Sequence, residues 1–296
     1  MILIADSGST KTDWALAPSP SLLTPHSSLL TPHSSLLTPH SSLLTSQGLN
    51  PFHQDRSVIL EILQTELLPQ LDADSVSCVC FYGSGVRPEL EPVMVNLLKE
   101  AFPQASQVEA HSDLLGAARA LCGHNYGIAS ILGTGANSCL YDGSQIVANT
   151  PALGYILGDE GSGAVLGRRF LNALYKGVLS KEIKDCFEAA TGLTMATVID
   201  RVYRQPLANR FLASLSEFIH SHLDDEVVRE LVIQNFDDFF QKNIVPYNRR
   251  DLPVGFVGSI AWHYQSELQT SAARQGFQVG TILKSPIEGL LRFHQA

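Results

Sequence analysis

The sequence lacks any apolar run of the roughly 18–20 residues that a membrane-spanning helix requires. It also lacks a basic segment ahead of Ile2–Ala5, so this stretch is not expected to be a targeting signal. Cations are scarce, because 20 Lys and Arg stand against 29 Asp and Glu for a formal net charge of -9. This charge disfavours nucleic acid and anionic membranes as partners. It still permits ATP, because Mg²⁺ and backbone N–H groups can balance phosphate charge.

Cysteine is also sparse, and its spacing gives no sign of a disulfide framework or a zinc site. The five cysteines are an odd number and contain no Cys-x-x-Cys pair. Cys78 and Cys80 share one face of a predicted strand and are interpreted as small buried hydrophobic residues. This usage predicts a cytoplasmic protein. The cysteines are Cys78, Cys80, Cys122, Cys139 and Cys186.

What the chain does contain is a strand–turn–strand pattern at its beginning. The apolar run Ile2–Ala5 leads into Asp6 and a turn of Gly, Ser and Thr with one Lys, and residues 13–17 return as a strand. A Walker P-loop is excluded, because the Gly-Lys-Ser/Thr order is absent and a strand follows instead of a helix. A hairpin of this kind can offer backbone N–H groups to a phosphate, although alone it is also typical of a plain surface turn.

The same pattern recurs in the middle of the chain. The apolar strand Gly127–Leu132 runs into a Gly- and Thr-rich turn that begins at Gly133, and a strand leaves through Cys139–Tyr141. Glycine at 133 and 135 would let the backbone approach an anion closely. Two such hairpins in 296 residues predict a duplicated α/β core in two domains.

The remaining pattern alternates strands and helices. Strands are predicted near residues 45–51, 76–82, 108–111, 252–257 and 277–283, and helices at 53–71, 88–102, from 112, 164–175, much of 181–243, 259–275 and 286–294.

Two acidic positions each allow two interpretations. Ser112-Asp113 precedes an apolar helix, so Asp113 is either an N-cap or a carboxylate presented at a strand–helix junction. In the second role the helix N-terminus is expected to keep it ionised at neutral pH. Asp159-Glu160 lies in the Gly-rich stretch 158–163, which is either an acidic helix start or a loop that binds substrate hydroxyl groups.

Residues 21–45 repeat Ser-Leu-Leu-Thr-Pro-His-Ser with a period of seven. A coiled coil is excluded, because Pro25, Pro32 and Pro39 would each break a helix. The in-phase His26, His33 and His40 permit a metal site, but a low-complexity insertion over residues 18–45 is favoured. We expect it to be dispensable for activity.

Four motifs occur along the chain in the order Asp6–Asp13, Gly133–Ser138, Gly158–Ser162 and Val257–Ser259. Together they resemble the N-acetylglucosamine kinase group within the BadF/BadG/BcrA/BcrD ATPase family, part of the actin-like ATPase and sugar kinase superfamily. They span nearly the whole chain apart from the repeat. The resemblance implies two ribonuclease-H-like domains around a cleft, the first covering 1–112 plus 284–296 and the second 113–283 with a helical insertion.

The resemblance also implies a set of site residues. Asp113 would be the catalytic aspartate, and Asp6 would help to hold Mg²⁺. Phosphate loops would be formed by Gly8, Ser9, Thr10, Lys11 and Thr12 and by Gly133, Thr134, Gly135 and Ala136, with Gly258 and Ser259 beside the adenosine. The sugar would meet Asn50, Asn137, Ser138 and Asp159.

The implied activity is ATP-dependent phosphorylation of an amino sugar, foremost the 6-hydroxyl of N-acetylglucosamine. Glucosamine, N-acetylmuramate and glucose remain rival acceptors, because Pro51-Phe52 follows Asn50 where relatives carry a different aromatic pair. Two other classes stay open: an ATPase that activates an electron-transfer partner, and a non-catalytic nucleotide-binding regulator. The expected ligands are ATP, Mg²⁺ and a small sugar, without nucleic acid or membrane, and the chain could form a homodimer.

Overall fold

The computed structural model describes residues 1–8, 10–18 and 42–295, which form two compact units. The first unit comprises Met1–Asn125, Gly143–Gln145 and the C-terminal segment from Ser285. The second comprises Tyr126–Asp142 and Ile146–Lys284. Ser9 and most of the heptad repeat lie outside the described residues, and so do its three histidines.

The first unit is built on a five-stranded sheet with the order β3-β2-β1-β4-β5. β1 pairs antiparallel with β2, which pairs antiparallel with β3, whereas β4 and β5 continue the sheet in parallel from β1. The predicted opening hairpin is therefore confirmed. The strands are β1 (Ile2–Ser7), β2 (Lys11–Ala17), β3 (Ser42–Gln47), β4 (Cys78–Gly83) and β5 (Gln107–Ser112).

Helices cover this sheet. α1 and α2 contribute to a hydrophobic cluster that includes Trp14 and Phe81. α13 contributes to a second hydrophobic cluster that includes Ile4 and Tyr82. Gly116 in α3 and Gly289 in α13 have no room for a side chain, since an added Cβ would lie 2.8 Å from Tyr82 Cβ or 2.5 Å from the Ala120 carbonyl oxygen. The helices are α1 (Arg56–Ile62), α2 (Glu91–Ala101), α3 (Asp113–Cys122) and α13 (Ile287–Gln295).

The second unit repeats the first sheet, strand for strand, in the order β8-β7-β6-β9-β10. β6 and β7 form the antiparallel hairpin, β8 extends it, and β9 and β10 run parallel to β6. This identity of topology confirms the α/β fold with a duplicated core. The strands are β6 (Gly127–Leu132), β7 (Ala136–Tyr141), β8 (Ile146–Thr150), β9 (Val254–Val257) and β10 (Val279–Leu283).

The helices of the second unit bury a large apolar cluster against its sheet, with Phe170, Phe236, Phe239 and Phe256 fully covered. They are α4 (Gly154–Leu157), α5 (Gly163–Tyr175), α6 (Lys181–Thr191), α7 (Met195–Tyr203), α8 (Ala208–Ser214), α9 (Ser216–His220), α10 (Glu226–Phe239), α11 (Ser259–His263) and α12 (Gln265–Gln275). Within the described ranges, no helix is long and apolar enough to cross a membrane.

One helix in each unit ends in the same unusual way. α1 continues into a π-helical turn, Leu63–Leu67, and a 3₁₀ turn, Leu68–Gln70. α10 likewise continues into Phe240–Ile244 and Val245–Tyr247. In both cases a proline is the second residue of the 3₁₀ turn, and the residue before it donates its N–H to the carbonyl five residues back. Proline lacks an N–H, so the regular helical ladder cannot continue there.

Two predicted boundaries require correction. The predicted insertion over 18–45 extends too far, because Ser42–Thr45 belong to β3 and pair with residues 13–16 of β2. The unit boundary falls after Asn125 and not after Ser112. Its reason is that α3 lies on the first sheet and packs against α13, so Asp113 belongs to the first unit.

Candidate active site

The carboxyl ends of the parallel strands of the first unit bring two aspartates near one another. Ser7, Gly83 and Ser112 lie in register where β1, β4 and β5 end. Asp6 is the residue before Ser7, and Asp113 is the first residue of α3. In an open α/β sheet, ligands bind at this edge.

The charge of Asp113 acts on the carboxyl group of Asp6. Burial, followed by the negative charges of Asp113 and Asp13, raises the pKa of Asp6 to about 7, and the Lys11 cation opposes this rise. Burial likewise raises the pKa of Asp113. Desolvation outweighs the hydrogen bond from the Leu114 N–H, so the net shift in the pKa of Asp113 is opposite to the one that a helix N-terminus alone would cause.

The N-cap of α3 is formed by Ser112, which bears on the two interpretations of Ser112-Asp113. The Ser112 hydroxyl accepts the N–H of Leu115 at 3.3 Å and is therefore the capping group. The Asp113 side chain accepts the N–H of its neighbour Leu114 at Oδ1, at 2.8 Å. Asp113 is thus not required as the cap, and its carboxylate retains acceptor capacity for another group.

The β1–β2 turn is held by buried hydroxyl groups. Ser7 Oγ lies 2.7 Å from Thr12 Oγ1, and both side chains are fully buried. Ser7 also accepts the N–H of Leu49 at 2.9 Å, while Thr12 donates to the Gln47 carbonyl at 3.1 Å. The hydroxyl of Thr12, a predicted phosphate-loop residue, is committed inside the hairpin and helps to fix the turn.

The exposed part of the same turn is open for a ligand. Gly8 donates its N–H to the Lys11 carbonyl at 3.0 Å, and a side chain added at Gly8 would meet only that oxygen, at 3.6 Å. Thr10 and Lys11 are exposed, and Lys11 Nζ lies 2.8 Å from Asp13 Oδ1. An exposed ion pair of this kind is worth little, so Lys11 can turn to another anion at small cost.

Asn50 follows β3 and is fixed by its own loop. Its backbone N–H donates to Gln54 Oε1 at 2.8 Å, and its Oδ1 accepts the Phe52 N–H at 3.0 Å. Gly85 has a φ of 81°, and a side chain there would collide with Asn50 Oδ1 at 2.1 Å. The exposed Phe52 ring carries the Arg87 guanidinium 4.3 Å above its centroid.

In the second unit, the Gly133–Ala136 turn is bound to the start of α5. The Gly133 N–H donates to the Gly135 carbonyl at 3.0 Å, and the N–H of Gly163 donates to the Gly133 carbonyl at 2.9 Å. The N–H of Ala164 reaches the Thr134 carbonyl at 3.2 Å. A Cβ added at Gly133 would meet no atom within 4 Å, which leaves open space over the turn.

Asp159 lies directly beside this turn. A Cβ at Gly135 would lie 3.0 Å from Asp159 Oδ2, and Asp159 itself has a left-handed φ of 54°. Burial raises the pKa of Asp159 to about 6, against hydrogen bonds from the backbone of Gly154 and Ala136. Glu160 instead forms an ion pair in which its Oε1 lies 3.0 Å from Lys242 Nζ. The two adjacent carboxylates therefore have different partners.

Asn137 and Ser138 were predicted to bind the same sugar, but β7 separates them. Adjacent strand residues point to opposite faces. Ser138 is fully buried, and its hydroxyl lies 2.8 Å from the Tyr247 hydroxyl. Asn137 Oδ1 accepts Asn149 Nδ2 at 3.0 Å. Of the pair, Asn137 is partly exposed, while Ser138 belongs to the core.

The turn after β9 requires glycine. Gly258 has a φ of 123°, and a Cβ there would lie 2.3 Å from the Leu132 carbonyl oxygen. The exposed Ser259 that follows borders a cavity of about 430 Å³ between α9 and α11. It is lined by Ser216, Glu217, His220, Ser259, Ile260, His263 and Tyr264.

Several residues at these sites carry no sequence pattern that predicts them. Gly85 holds Asn50, and Asn149 holds Asn137, through contacts between distant parts of the chain. His220, which was expected to be at the surface or partly buried, is exposed; it lines the cavity, and its Nε2 lies 3.1 Å from the His263 carbonyl oxygen. Within the described part of the chain, no three His, Cys, Asp or Glu side chains are grouped so as to hold a metal ion by themselves.

Comparisons with known proteins agree with the geometry. A proposed N-acetylglucosamine kinase from Porphyromonas gingivalis is 46% identical, with 100% of this chain and 99% of that chain covered and a TM-score of 0.90. One from Chromobacterium violaceum is 19% identical, with 99% and 98% covered and a TM-score of 0.69, and shows the shared fold alone. No family model and no curated protein sequence matches the chain.

Proposed function

The chain belongs to the N-acetylglucosamine kinase group of the sugar kinase superfamily, and on that premise we propose that it transfers the γ-phosphoryl group of ATP to an amino sugar. The observation that carries the proposal is the pair Asp6 and Asp113 at the carboxyl edge of the first sheet. A kinase of this kind needs one carboxylate for a metal ion and another for the acceptor hydroxyl, and these two groups share one electrostatic environment.

Phosphate binding is assigned to one turn in each unit. In the first unit, Gly8, Thr10 and Lys11 are exposed, and Gly8 carries no side chain over the turn. In the second unit, the turn at Gly133 opens into free space. Backbone N–H groups in such turns bind anions, and a lysine adds a mobile charge. Ser9 is included by its position in the sequence.

The donor set fits Mg²⁺ in the form in which kinases usually bind it. Mg²⁺ prefers one or two protein carboxylates, with waters and substrate phosphates completing its shell. Asp6 offers such a carboxylate; burial first, and then the negative charges of Asp113 and Asp13, raise its pKa to about 7, so a bound cation would offset charge there. When bound, Mg²⁺ would offset charge on the phosphates. The Lys11 cation lowers the pKa of Asp6 and would likewise offset negative charge at this site.

Asp113 is assigned the role of general base. As the acceptor oxygen bonds to the γ-phosphorus and the bond to the ADP oxygen breaks, the hydroxyl proton moves to the Asp113 carboxylate. The N–H bond from Leu114 holds Oδ1, which leaves acceptor capacity for the hydroxyl. A pKa raised by burial brings a carboxyl group nearer to the working pH, where a general base is most effective.

The sugar is assigned to Asn50, Asn137 and Asp159. Two backbone N–H groups occupy part of the Asp159 carboxylate, so its remaining lone pairs can accept sugar hydroxyls. Asn50 and Asn137 are each held by neighbours through Oδ1, which leaves their side-chain amide N–H groups to donate. The acceptor best supported is the 6-hydroxyl of N-acetylglucosamine, because the 46% identical relative is a proposed kinase for that sugar.

The nucleoside end of ATP is assigned to the cavity beside Ser259. Its volume of about 430 Å³ suits a purine nucleoside, and Glu217 and His220 supply polar groups within it. Ligand pockets combine apolar walls with a few such groups. Ile260 and Tyr264 provide the apolar lining here.

The direct test is an assay of ADP release coupled to a reporter, across N-acetylglucosamine, glucosamine, N-acetylmuramate, glucose and no sugar. We expect N-acetylglucosamine to give the highest kcat/KM, with a phosphate ester at the 6-position in the product. ADP release that is equal with and without every sugar would overturn the proposal and indicate an ATPase. Preference for another amino sugar would overturn only the choice of acceptor.

A further inference from the structure

A cysteine and a histidine face one another in the second unit, away from the residues assigned to phosphoryl transfer. Cys186 lies on α6, and His222 lies two residues beyond the end of α9. Cys186 Sγ is 3.4 Å from His222 Nε2, within the reach of an S–H···N hydrogen bond. The structure describes all five cysteines, and Cys186 is the exposed member of the set.

The partner of the other ring nitrogen determines which proton His222 carries. Nδ1 lies 2.8 Å from the Phe218 carbonyl oxygen. A carbonyl oxygen only accepts hydrogen bonds, so Nδ1 must hold the proton. The Ser221 hydroxyl, 3.0 Å from Nδ1, donates to the same carbonyl at 2.8 Å. In the neutral ring, Nε2 therefore presents a bare lone pair to the Cys186 thiol.

The imidazole ring is also held in place. It stacks on the Phe218 ring, with centroids 4.1 Å apart and planes 24° from parallel. The Phe218 ring in turn packs against Phe187 and Phe170, with ring centroids 5.2 Å and 5.7 Å apart. Those two rings are fully buried. A base oriented by a third group and directed at a thiol is the arrangement that activates a cysteine nucleophile.

We propose that Cys186 and His222 form a reactive thiol site that exchanges with soluble disulfides of the glutathione class. The thiol proton moves to His222 Nε2, and the Cys186 sulfur attacks one sulfur of the disulfide. The S–S bond of the reagent breaks, a new S–S bond forms on Cys186, and the departing thiolate takes the proton back from the imidazolium. The disulfide is the only co-reactant, and the exchange is balanced.

The other four cysteines are less favourable for this reaction. Cys80 and Cys139 are buried, and burial raises the pKa of Cys122 to about 11. Cys78 is the internal competitor, because its Sγ lies 3.7 Å from Cys80 Sγ and that contact lowers the pKa of Cys78. It is half-buried, however, and its partner is a second thiol in place of a base.

The test treats the full-length reduced protein with glutathione disulfide and maps the mixed disulfides by peptide mass spectrometry over time. We expect Cys186 to react first, at least about 10-fold faster than Cys78 or Cys122, because it combines exposure with an oriented base. The same reaction in guanidinium chloride gives each cysteine its unfolded rate. Faster modification of Cys78, or of all exposed thiols equally, would overturn the proposal.

His222→Gln separates activation from mere exposure. In this variant we expect the rate at Cys186 to fall about 10-fold while the rate at Cys122 is unchanged. His220→Gln is the matched control, because His220 is two residues away and bonds the His263 carbonyl instead. An unchanged rate at Cys186 in folded His222→Gln would reject the base. If that variant fails to fold, the order of modification in the unaltered protein still decides the outcome.

Discussion

Asp6 and Asp113 are 107 positions apart in the chain, yet after burial the charge of Asp113 is the largest contribution that raises the pKa of Asp6 to about 7. The relationship arises from the sheet, since β1 and β5 flank β4 in parallel and end at the same edge. A pair of carboxyl groups so placed costs stability whenever both are ionised. This cost is expected where a site serves a bound cation and a reaction, and it leads to two predictions.

Asp6→Asn should stabilise the protein at pH 8 and change little at pH 4. The pKa of Asp6 rises from an ordinary 3.8 to about 7, so the folded state binds a proton more tightly than the unfolded state. The free energy of unfolding is therefore higher below about pH 4, and it falls by up to about 4 kcal/mol as the pH rises through 7. Melting temperatures of variant and parent at both pH values check this. The exposed Asp74→Asn is the control and should show no pH-dependent difference.

Asp113→Asn should abolish phosphoryl transfer while it preserves binding of ATP and sugar. Loss of a positioned base typically costs about 10²–10⁴-fold in kcat. The amide still accepts the Leu114 N–H, so the helix start is retained. Ser112→Ala is the neighbouring control, which removes the cap at about 1 kcal/mol but should leave kcat near normal. Near-normal turnover of Asp113→Asn, with calorimetry showing both ligands bound, would contradict the role.

Gly133→Ala and Gly135→Ala should affect different substrates although they are two residues apart. A methyl group at 133 enters the open space assigned to phosphate and should raise the KM for ATP. A methyl group at 135 lies 3.0 Å from Asp159 Oδ2, so the carboxylate must shift and the KM for the sugar should rise. Increases of roughly 10-fold are reasonable for a displaced charge-assisted contact. Steady-state kinetics with each substrate varied will show whether the effects separate; a common effect on both KM values would argue against the assignment.

Replacement of residues 19–41 by Asn-Gly should leave folding and activity intact. The flanking strands β2 and β3 pair antiparallel, with Leu16 opposite Ser42, so a short turn can join them. Extending the deletion to Thr45 should instead lower the melting temperature by several degrees, because it removes the residues opposite Asp13, Trp14 and Ala15. The comparison of the two deletions by thermal unfolding and kinase assay tests both the dispensable repeat and the true start of β3.

The parts of this fold that follow from local pattern were predictable. The two hairpins, the parallel strands and the helix beginning at Asp113 are encoded in apolar runs, glycine turns and a Ser cap. The site was less accessible, because exposure and orientation depend on distant contacts. Ser138 and Thr12 look like ligand residues in the sequence, but strand alternation and partners such as Tyr247 and Ser7 place their hydroxyls inside. Burial at Asp113 likewise has no local signature.

The paired π-to-3₁₀ helix endings bear on the behaviour of this protein at high concentration. β3 and β8 are edge strands, and exposed edges tend to pair with other chains. In the first unit, Glu66 in the π turn accepts the backbone N–H of Gln47 at 2.7 Å. In the second unit, the Tyr247 hydroxyl accepts the backbone N–H of Thr150 at 3.0 Å. The Asn243 carbonyl oxygen accepts the Thr150 hydroxyl at 3.1 Å. Each widened helix end thus occupies one backbone donor of an edge strand and makes that donor unavailable to a strand of another chain.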